Sequence, residues 1–253
     1  MALLDSINDF FVRLKGGTEY LTYGRPILAG WAVEHLRALP AATTPKILDL
    51  GCGQGDDLVG FAAAVDRKCD LYGLEGYGPY REICAAKGIE TFPINVERDR
   101  LPFADQSLDV ISMNQVLEHT KDIFFIFSEV SRTLKPGGLF LVGVPNLAAW
   151  HDRLLLLLGR QPSGMKVLGP HVRGFTHQGL QKFAECDGYF KLDGFRGSAF
   201  YPFPAGVSKL LARLFPGLAT AIFFRLRRTS KPGEFIEVLR VRRFETDYYQ
   251  GIA

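Results

Sequence analysis

The segment Ile47-Leu48-Asp49-Leu50-Gly51-Cys52-Gly53-Gln54-Gly55 constrains this chain more than any other stretch. A short apolar run enters a turn with three glycines in five positions, then leaves into a helical pattern over 56–65. Glycine permits φ > 0 and lets backbone approach a ligand closely, and the helix start offers unpaired N–H groups. Glu75 ends the next apolar run, 24 residues after Gly51. A carboxylate there can accept both hydroxyls of a ribose. A dinucleotide fingerprint needs glycine at 51, 53 and 56, but position 56 is Asp56 and Asp57 follows it. Two carboxylates at a helix start repel a pyrophosphate. They tolerate a cofactor with a cationic centre, such as a sulfonium.

The rest of the chain repeats the strand-and-helix rhythm. Apolar runs at 46–50, 70–75, 90–95, 108–114 and 138–146 alternate with helical patterns at 56–65, 78–87 and 120–134. This predicts a parallel sheet with helices on both faces. Segments 189–200 and 233–244 read as two more strands, the second as an antiparallel edge. Ahead of the sheet, 2–15 and 26–39 have helical periodicity, with Pro26 suited to a first turn. The organisation is thus an N-terminal helical segment, 1–45, and a main domain, 46–253. Two stretches, 147–173 and 202–232, break the rhythm. Both leave the carboxyl ends of strands, where ligands of open α/β sheets bind, so both are expected to act as lids over one mouth.

Composition excludes several classes. The chain has 253 residues, 47% hydrophobic and 23% charged, which is globular and not disordered. Its net charge of +3 does not predict a nucleic-acid partner. Cys52, Cys69, Cys84 and Cys186 form no C-x-x-C pair, so no zinc pattern or disulfide framework is read, and a reducing cytoplasm fits. The start lacks a basic segment followed by an apolar core, and no run of 18 apolar residues suggests a membrane span. The expectation is a cytoplasmic protein.

The segments ILDLGCGQG (47–55), Glu75, INVERDRLPF (94–103), LDVISMNQVLEHT (108–120) and TLKPGGLFLVGVPN (133–146) together carry a resemblance. Over about residues 45–200 the chain resembles class I S-adenosylmethionine-dependent methyltransferases of the group with VLEH and LKPGG motifs. The resemblance implies an α/β, Rossmann-like seven-stranded sheet with strand seven antiparallel. It implies S-adenosylmethionine as cofactor. Asp49 and the loop Gly51, Cys52, Gly53, Gln54 and Gly55 would hold the methionine moiety. Glu75, followed by Gly76, would take the ribose. Asn95, followed by Val96, stands where the family usually has Asp against the adenine amino group; its carbonyl can accept the same hydrogen bond. Asn114 and Gln115 would flank the sulfonium. The NPPY-type residues of enzymes that methylate DNA or glutamine amino groups are absent.

Methylation of a hydroxyl needs a base near neutral pKa. The histidines are His35, His119, His151, His171 and His177. His119 follows Glu118 beyond the fourth strand and is read either as the base or as a residue shaping the site. His171 lies beside Arg173 in GPHVRGFT (169–176), which is similar to an H-x-R-x-F-T segment on the rim of related enzymes. Either His171 is the base and Arg173 binds an acidic group, or Thr176 caps the next helix and His171 packs against the lid. His151 and Tyr201 are substrate-binding candidates on the two insertions.

LLLLL (154–158) is too short to span a bilayer and reads as a buried lid helix. Between 205 and 231 stand six basic residues, no acidic ones and many apolar ones. That segment suits an anionic membrane surface or a lipid-linked acceptor, or else serves as a helical cap. The lid pattern resembles cell-envelope polysaccharide methyltransferases. The expected function is methyl transfer, preferably to oxygen, on a small-molecule or glycan acceptor, with peripheral contact at the inner face of the membrane. The alternative is a non-catalytic cofactor-binding partner protein.

Overall fold

The computed structural model describes residues 24–241. The expected helix at 2–15 lies outside them, as do residues 242–244 of the segment expected as a strand. In chain order the elements are α1 (Arg25–Ala38), β1 (Lys46–Leu50), α2 (Asp56–Val65), β2 (Asp70–Leu74), α3 (Gly78–Ala86) and β3 (Glu90–Phe92). After them come β4 (Leu108–Asn114), α4 (Ile123–Thr133), β5 (Leu134–Pro145), α5 (Trp150–Leu157) and α6 (His177–Ala184). The described part closes with β6 (Phe190–Ser198), α7 (Ala205–Leu214), β7 (Ala221–Arg228) and the short α8 (Val238–Val241).

The sheet runs β3-β2-β1-β4-β5-β7-β6. β3, β2, β1, β4 and β5 pair in parallel, and β7 lies antiparallel between β5 and β6. The expected seven-stranded, Rossmann-like architecture with its seventh strand antiparallel is present. Side chains alternate across each strand, and here both sides are covered. Ile47, Val110, Leu139, Leu141 and Phe223 join Leu28, Trp31 and Leu36 of α1 and Phe61 of α2 in one core layer. Leu48, Ile111, Phe140, Val142 and Phe224 join Phe127 and Val130 of α4 and Leu180 of α6 in the other. Burial on both faces is why these strands read as unbroken apolar runs. Phe127 anchors the second layer, with edge-to-face contacts to Phe140, Phe183 and Phe190.

One strand lies elsewhere than the sequence pattern predicts. Segment 233–244 was expected to pair at the edge; its described part is instead a 3₁₀ turn, Phe235–Glu237, running into α8. Reciprocal bonds between Glu234 and Glu237 form a capping box that starts this turn. The seventh strand is AIFFRLRR, inside the segment expected to be a basic amphipathic lid. Period 2, with Ile222, Phe224, Leu226 and Arg228 inward on one face and Phe223 on the other, overrides the helical pattern.

This correction removes most of the expected basic patch. Arg228 is buried, donating to Ser131 O and to the Lys231 and Gly233 carbonyls. Arg225 pairs with Glu34 and Asp193, and Arg227 also pairs with Asp193. Lys231 donates to Asp187 O. Of the six basic residues between 205 and 231, only Lys209 and Arg213, on α7, are exposed.

Candidate active site

The sheet's carboxyl edge beside β1 holds a cavity of about 360 Å³. β1 delivers Asp49 to its wall, and the following turn supplies Gly51, Cys52, Gly53 and Gln54. Amides of Gly51 and Cys52 both donate to Leu74 O at 3.0 Å, so the turn is pinned to the end of β2. Gly51, Gly53 and Gly55 have φ of 81°, 53° and 78°, the left-handed region that other residues avoid.

The glycines do different work. A Cβ on Gly55 would sit 2.3 Å from Ile89 Cδ1, so its role is packing. A Cβ on Gly53 would meet nothing within 4 Å and would project from a residue that lines the cavity. Gly53 therefore leaves room for a ligand.

Charge in the cavity is strongly shaped. Asp49 is 4% exposed and accepts from Ser112 Oγ at 2.7 Å. Burial, with the Asp57 carboxylate nearby, pushes its pKa up to about 7. Burial also raises Asp57, whose Oδ1 lies 3.1 Å from Arg25 Nε of α1. Asp56 is held low by the Lys87 ammonium at 2.7 Å. Nothing in the sequence marked Arg25 as a site residue; it stands outside the glycine motif and reaches the cavity only because α1 packs on the sheet.

At the end of β4, Asn114 and Gln115 line the same cavity. Gln115 is non-glycine with φ of 57°, and its Nε2 is buried without a hydrogen-bond partner. An unsatisfied buried donor is costly and marks a place for a ligand acceptor. Glu75 follows β2, and its Oε1 accepts from Tyr77 N at 2.7 Å; Gly76 beside it is open. Asn95 Oδ1 already accepts from Glu97 N at 2.9 Å, and Val96 is partly buried against the core.

A second cluster lies past β4. Leu117–His119 form a 3₁₀ turn, and the Glu118 carbonyl accepts the amides of Val172 and Arg173 at 2.9 and 3.2 Å. Arg173 Nη2 adds a 2.6 Å bond to Lys121 O. The lid segment is thereby fixed over the turn, and His171 meets His119 with ring centroids 4.8 Å apart. Glu118 lies beneath them with 2% of its side chain exposed. Burial pushes its pKa up to about 7. The two histidines stand out in the sequence by type; Glu118 is marked only by its burial in the fold.

The remaining candidates sit on the lids. His151 bonds Ser163 Oγ at 3.1 Å and contacts the Tyr201 ring at 5.2 Å. Trp150 stacks on Phe200 and donates to Tyr201 O, so α5 and the segment before α7 form one roof. Thr176 caps α6 through Gly179 N, as the sequence suggested.

Known proteins agree with this geometry. Residues 48–142 match the family model of a methyltransferase domain. A demethylmenaquinone methyltransferase of Lactococcus lactis subsp. lactis is 32% identical over 113 residues, 43% of this chain and 45% of that protein. A probable S-adenosylmethionine-dependent methyltransferase of Mycolicibacterium smegmatis is 37% identical over 106 residues, 40% of this chain and 38% of that one. The chain thus spans less than half the length of these relatives. Burkholderia thailandensis 1,6-didemethyltoxoflavin-N1-methyltransferase, solved with S-adenosylhomocysteine, shares the fold at TM-score 0.54 and 14% identity, over 84% of this chain and 80% of that one. The fold is that of class I methyltransferases, and residues 48–142 resemble a methyltransferase domain.

The residues fit that cofactor. A buried carboxylate at Asp49 suits a cationic group, the open Gly53 face gives room, and the orphaned Gln115 amide offers a donor. Two further carboxylates, Asp56 and Asp57, line the wall, which suits net positive charge and disfavours a pyrophosphate.

Proposed function

We propose that this chain transfers a methyl group from S-adenosylmethionine to an oxygen of a small, amphipathic acceptor. When bound, the cofactor supplies a methyl carbon on cationic sulfur and leaves as the neutral thioether. Asp49, Gln115 and the Gly51–Gly55 turn hold and orient it. An acceptor hydroxyl seated against Glu118, His119 and His171 gives up its proton there and gains the methyl carbon. The lid over 162–173 restricts water at that point, so orientation and exclusion of solvent supply most of the catalysis. The observation that carries this reading is the placement of two imidazoles and a buried carboxylate just beyond Gln115, on the exit of β4.

The acceptor's class follows from the lids. Leu157, Val167 and Leu168 are 82%, 82% and 100% exposed, and Leu210 and Leu214 of α7, with Phe215 just after it, are more than half exposed. Arg153, Arg160, Lys166, Lys209 and Arg213 are exposed on the same two segments, and the acid there, Asp152, is buried. Apolar side chains interleaved with cations match an anionic lipid surface, so the acceptor is lipid-linked or lipid-like and is presented at that surface. No helix among the described residues is long and apolar enough to cross a membrane.

Incubation with S-adenosylmethionine carrying a labelled methyl group, against lipid and glycan extracts, tests the proposal. Label in an extractable lipid as an ether is the expected result. Tight S-adenosylhomocysteine binding with no labelled product from any extract would instead support a non-catalytic binding protein.

A further inference from the structure

We infer that Glu118, His119 and His171 form a binding site for a divalent transition-metal ion, with an imidazole–imidazole–carboxylate ligand set. One potential ligand atom from each residue lies within 4.8 Å of the other two. The chemistry of each donor is already arranged for a metal. His119 Nδ1 stands 3.2 Å from Pro170 O, and His171 Nδ1 stands 2.6 Å from Gly164 O. A carbonyl can only accept, so in the neutral rings the proton sits on Nδ1 and Nε2 carries the lone pair. Backbone carbonyls often orient metal-binding imidazoles in this way.

Glu118 supplies the independent observation. Its side chain is 98% buried, its Oε2 has no hydrogen-bond partner, and its Oε1 lies 3.9 Å from His119 Nε2. A buried carboxylate normally has a cation or several donors beside it. Among the described residues no lysine or arginine pairs with this one, its one cationic neighbour being the His119 ring 3.9 Å away, and a bound metal ion would supply the missing charge.

Zinc–nitrogen and zinc–oxygen bonds of about 2.0–2.2 Å place ligand atoms roughly 3–3.5 Å apart. The present triad is therefore slightly open and must close on the ion. His119, with 39% of its side chain exposed, has the freedom to do so. Three protein ligands leave a coordination position open. In turnover, and here the inference rests on the proposed methyl transfer, an acceptor hydroxyl takes that position. With the ion bound the two imidazoles are ligands and no longer bases, so the ion takes over the loosening of the hydroxyl proton, which passes to water at the edge of the lid. Metal binding itself does not depend on that reading.

The test uses the full chain, treated with a chelator, dialysed and titrated with Zn²⁺, and with Co²⁺ as a spectroscopic probe. One ion per chain is expected, with visible ligand-field bands for Co²⁺ that Zn²⁺ abolishes. Mg²⁺, which prefers oxygen ligands, should not compete. His119→Ala, His171→Ala and Glu118→Gln should each weaken Zn²⁺ binding by at least about tenfold. S-adenosylhomocysteine affinity, which should stay constant, reports that each variant is folded. His119→Ala is the safeguard, because the exposed ring leaves no core cavity. Absence of stoichiometric Zn²⁺ binding, or variants that bind it as the parent does, would overturn the site. Zinc binding in a protein that labels no acceptor would leave the site standing and reject only the methyl-transfer reading.

Discussion

The two halves of the carboxyl edge are built by opposite strategies. Most of the cofactor side is one continuous stretch, β1 to α2, tied to β2 by two amides on the Leu74 carbonyl, with Arg25, Asn114 and Gln115 completing the wall. The acceptor side is assembled from turn 117–119, lid 162–173 and the segment before α7, joined by contacts such as Val172 to Glu118 and His151 to Tyr201. A site built mostly from one local stretch depends on few distant contacts. A site made of distant pieces depends on each lid staying docked. Damage on one side should therefore leave the other side's measurements intact, and this separation can be attacked directly.

The largest effect is expected at the acceptor side. His171→Ala should cut methyl transfer by about 10²–10⁴, while S-adenosylhomocysteine affinity in a calorimetric titration stays within a factor of two of the parent, at about the resolution of such contacts. A matching fall in cofactor affinity would show that the two halves are one cooperative unit.

Next is the buried carboxylate. Asp49→Asn should weaken S-adenosylhomocysteine, which keeps the methionine ammonium, by about 30- to 1000-fold, the usual cost of breaking a buried charge pair. Asp49 also sets a pH dependence. Its pKa is about 7, above the ordinary 3.8, because burial and Asp57 disfavour its charge while Ser112 and Arg25 favour it. Binding that needs the carboxylate should strengthen as pH rises through about 7. Stability of the ligand-free protein should move the other way. The folded state holds more protons than the unfolded state between 3.8 and about 7, so stability falls as pH rises across that window. Asp49→Asn should flatten both curves, read by calorimetry and by thermal unfolding. An unchanged pH profile in that variant would remove Asp49 from the role.

The glycines sharpen the local half. Gly55→Ala should cost about 1–3 kcal/mol of stability through overpacking against Ile89, measured by denaturant unfolding. Gly53→Ala meets open space; it should cost about 1 kcal/mol for its left-handed backbone alone and act mainly on cofactor affinity. Equal stability losses at both positions would contradict the assigned division. Glu75→Ala should weaken S-adenosylhomocysteine by about tenfold through lost charge-assisted bonds. The smallest effect on the isolated enzyme belongs to the lids. Leu157→Asp with Leu168→Asp should leave the unfolding temperature within about a degree or two, as for most surface substitutions, yet abolish sedimentation with anionic liposomes. Retained sedimentation would end the lipid-surface reading.

The same contrast explains what could be read from the sequence. The cofactor half was legible because strand, glycines and helix start are contiguous and each has a local physical reason. The parallel part of the sheet followed from the strand–helix rhythm, and the antiparallel seventh strand from the family resemblance. The acceptor half was legible only in its residue types. His119 and His171 stand 52 positions apart, and no local rule places one over the other. Arg25 was missed because its partner, Asp57, is reached only through the packing of α1. The last strand was misassigned because AIFFRLRR carries arginines that look like a solvent face; their partners, Glu34, Asp193 and the Ser131 carbonyl, come from other elements. The described part of 233–244 shows alternation in sequence, but its Glu234–Glu237 cap makes a turn.

Arg25 has one practical bearing on how the molecule is handled. A fragment beginning at Lys46 would start neatly at β1 and contain the whole glycine motif. It would also strip α1 from the sheet, laying Ile47, Val110 and Phe223 open to water and leaving Asp57 beside Asp49 with its guanidinium gone. Such a fragment should be poorly soluble and a weaker ligand binder, for reasons of packing and charge that the motif itself would never disclose.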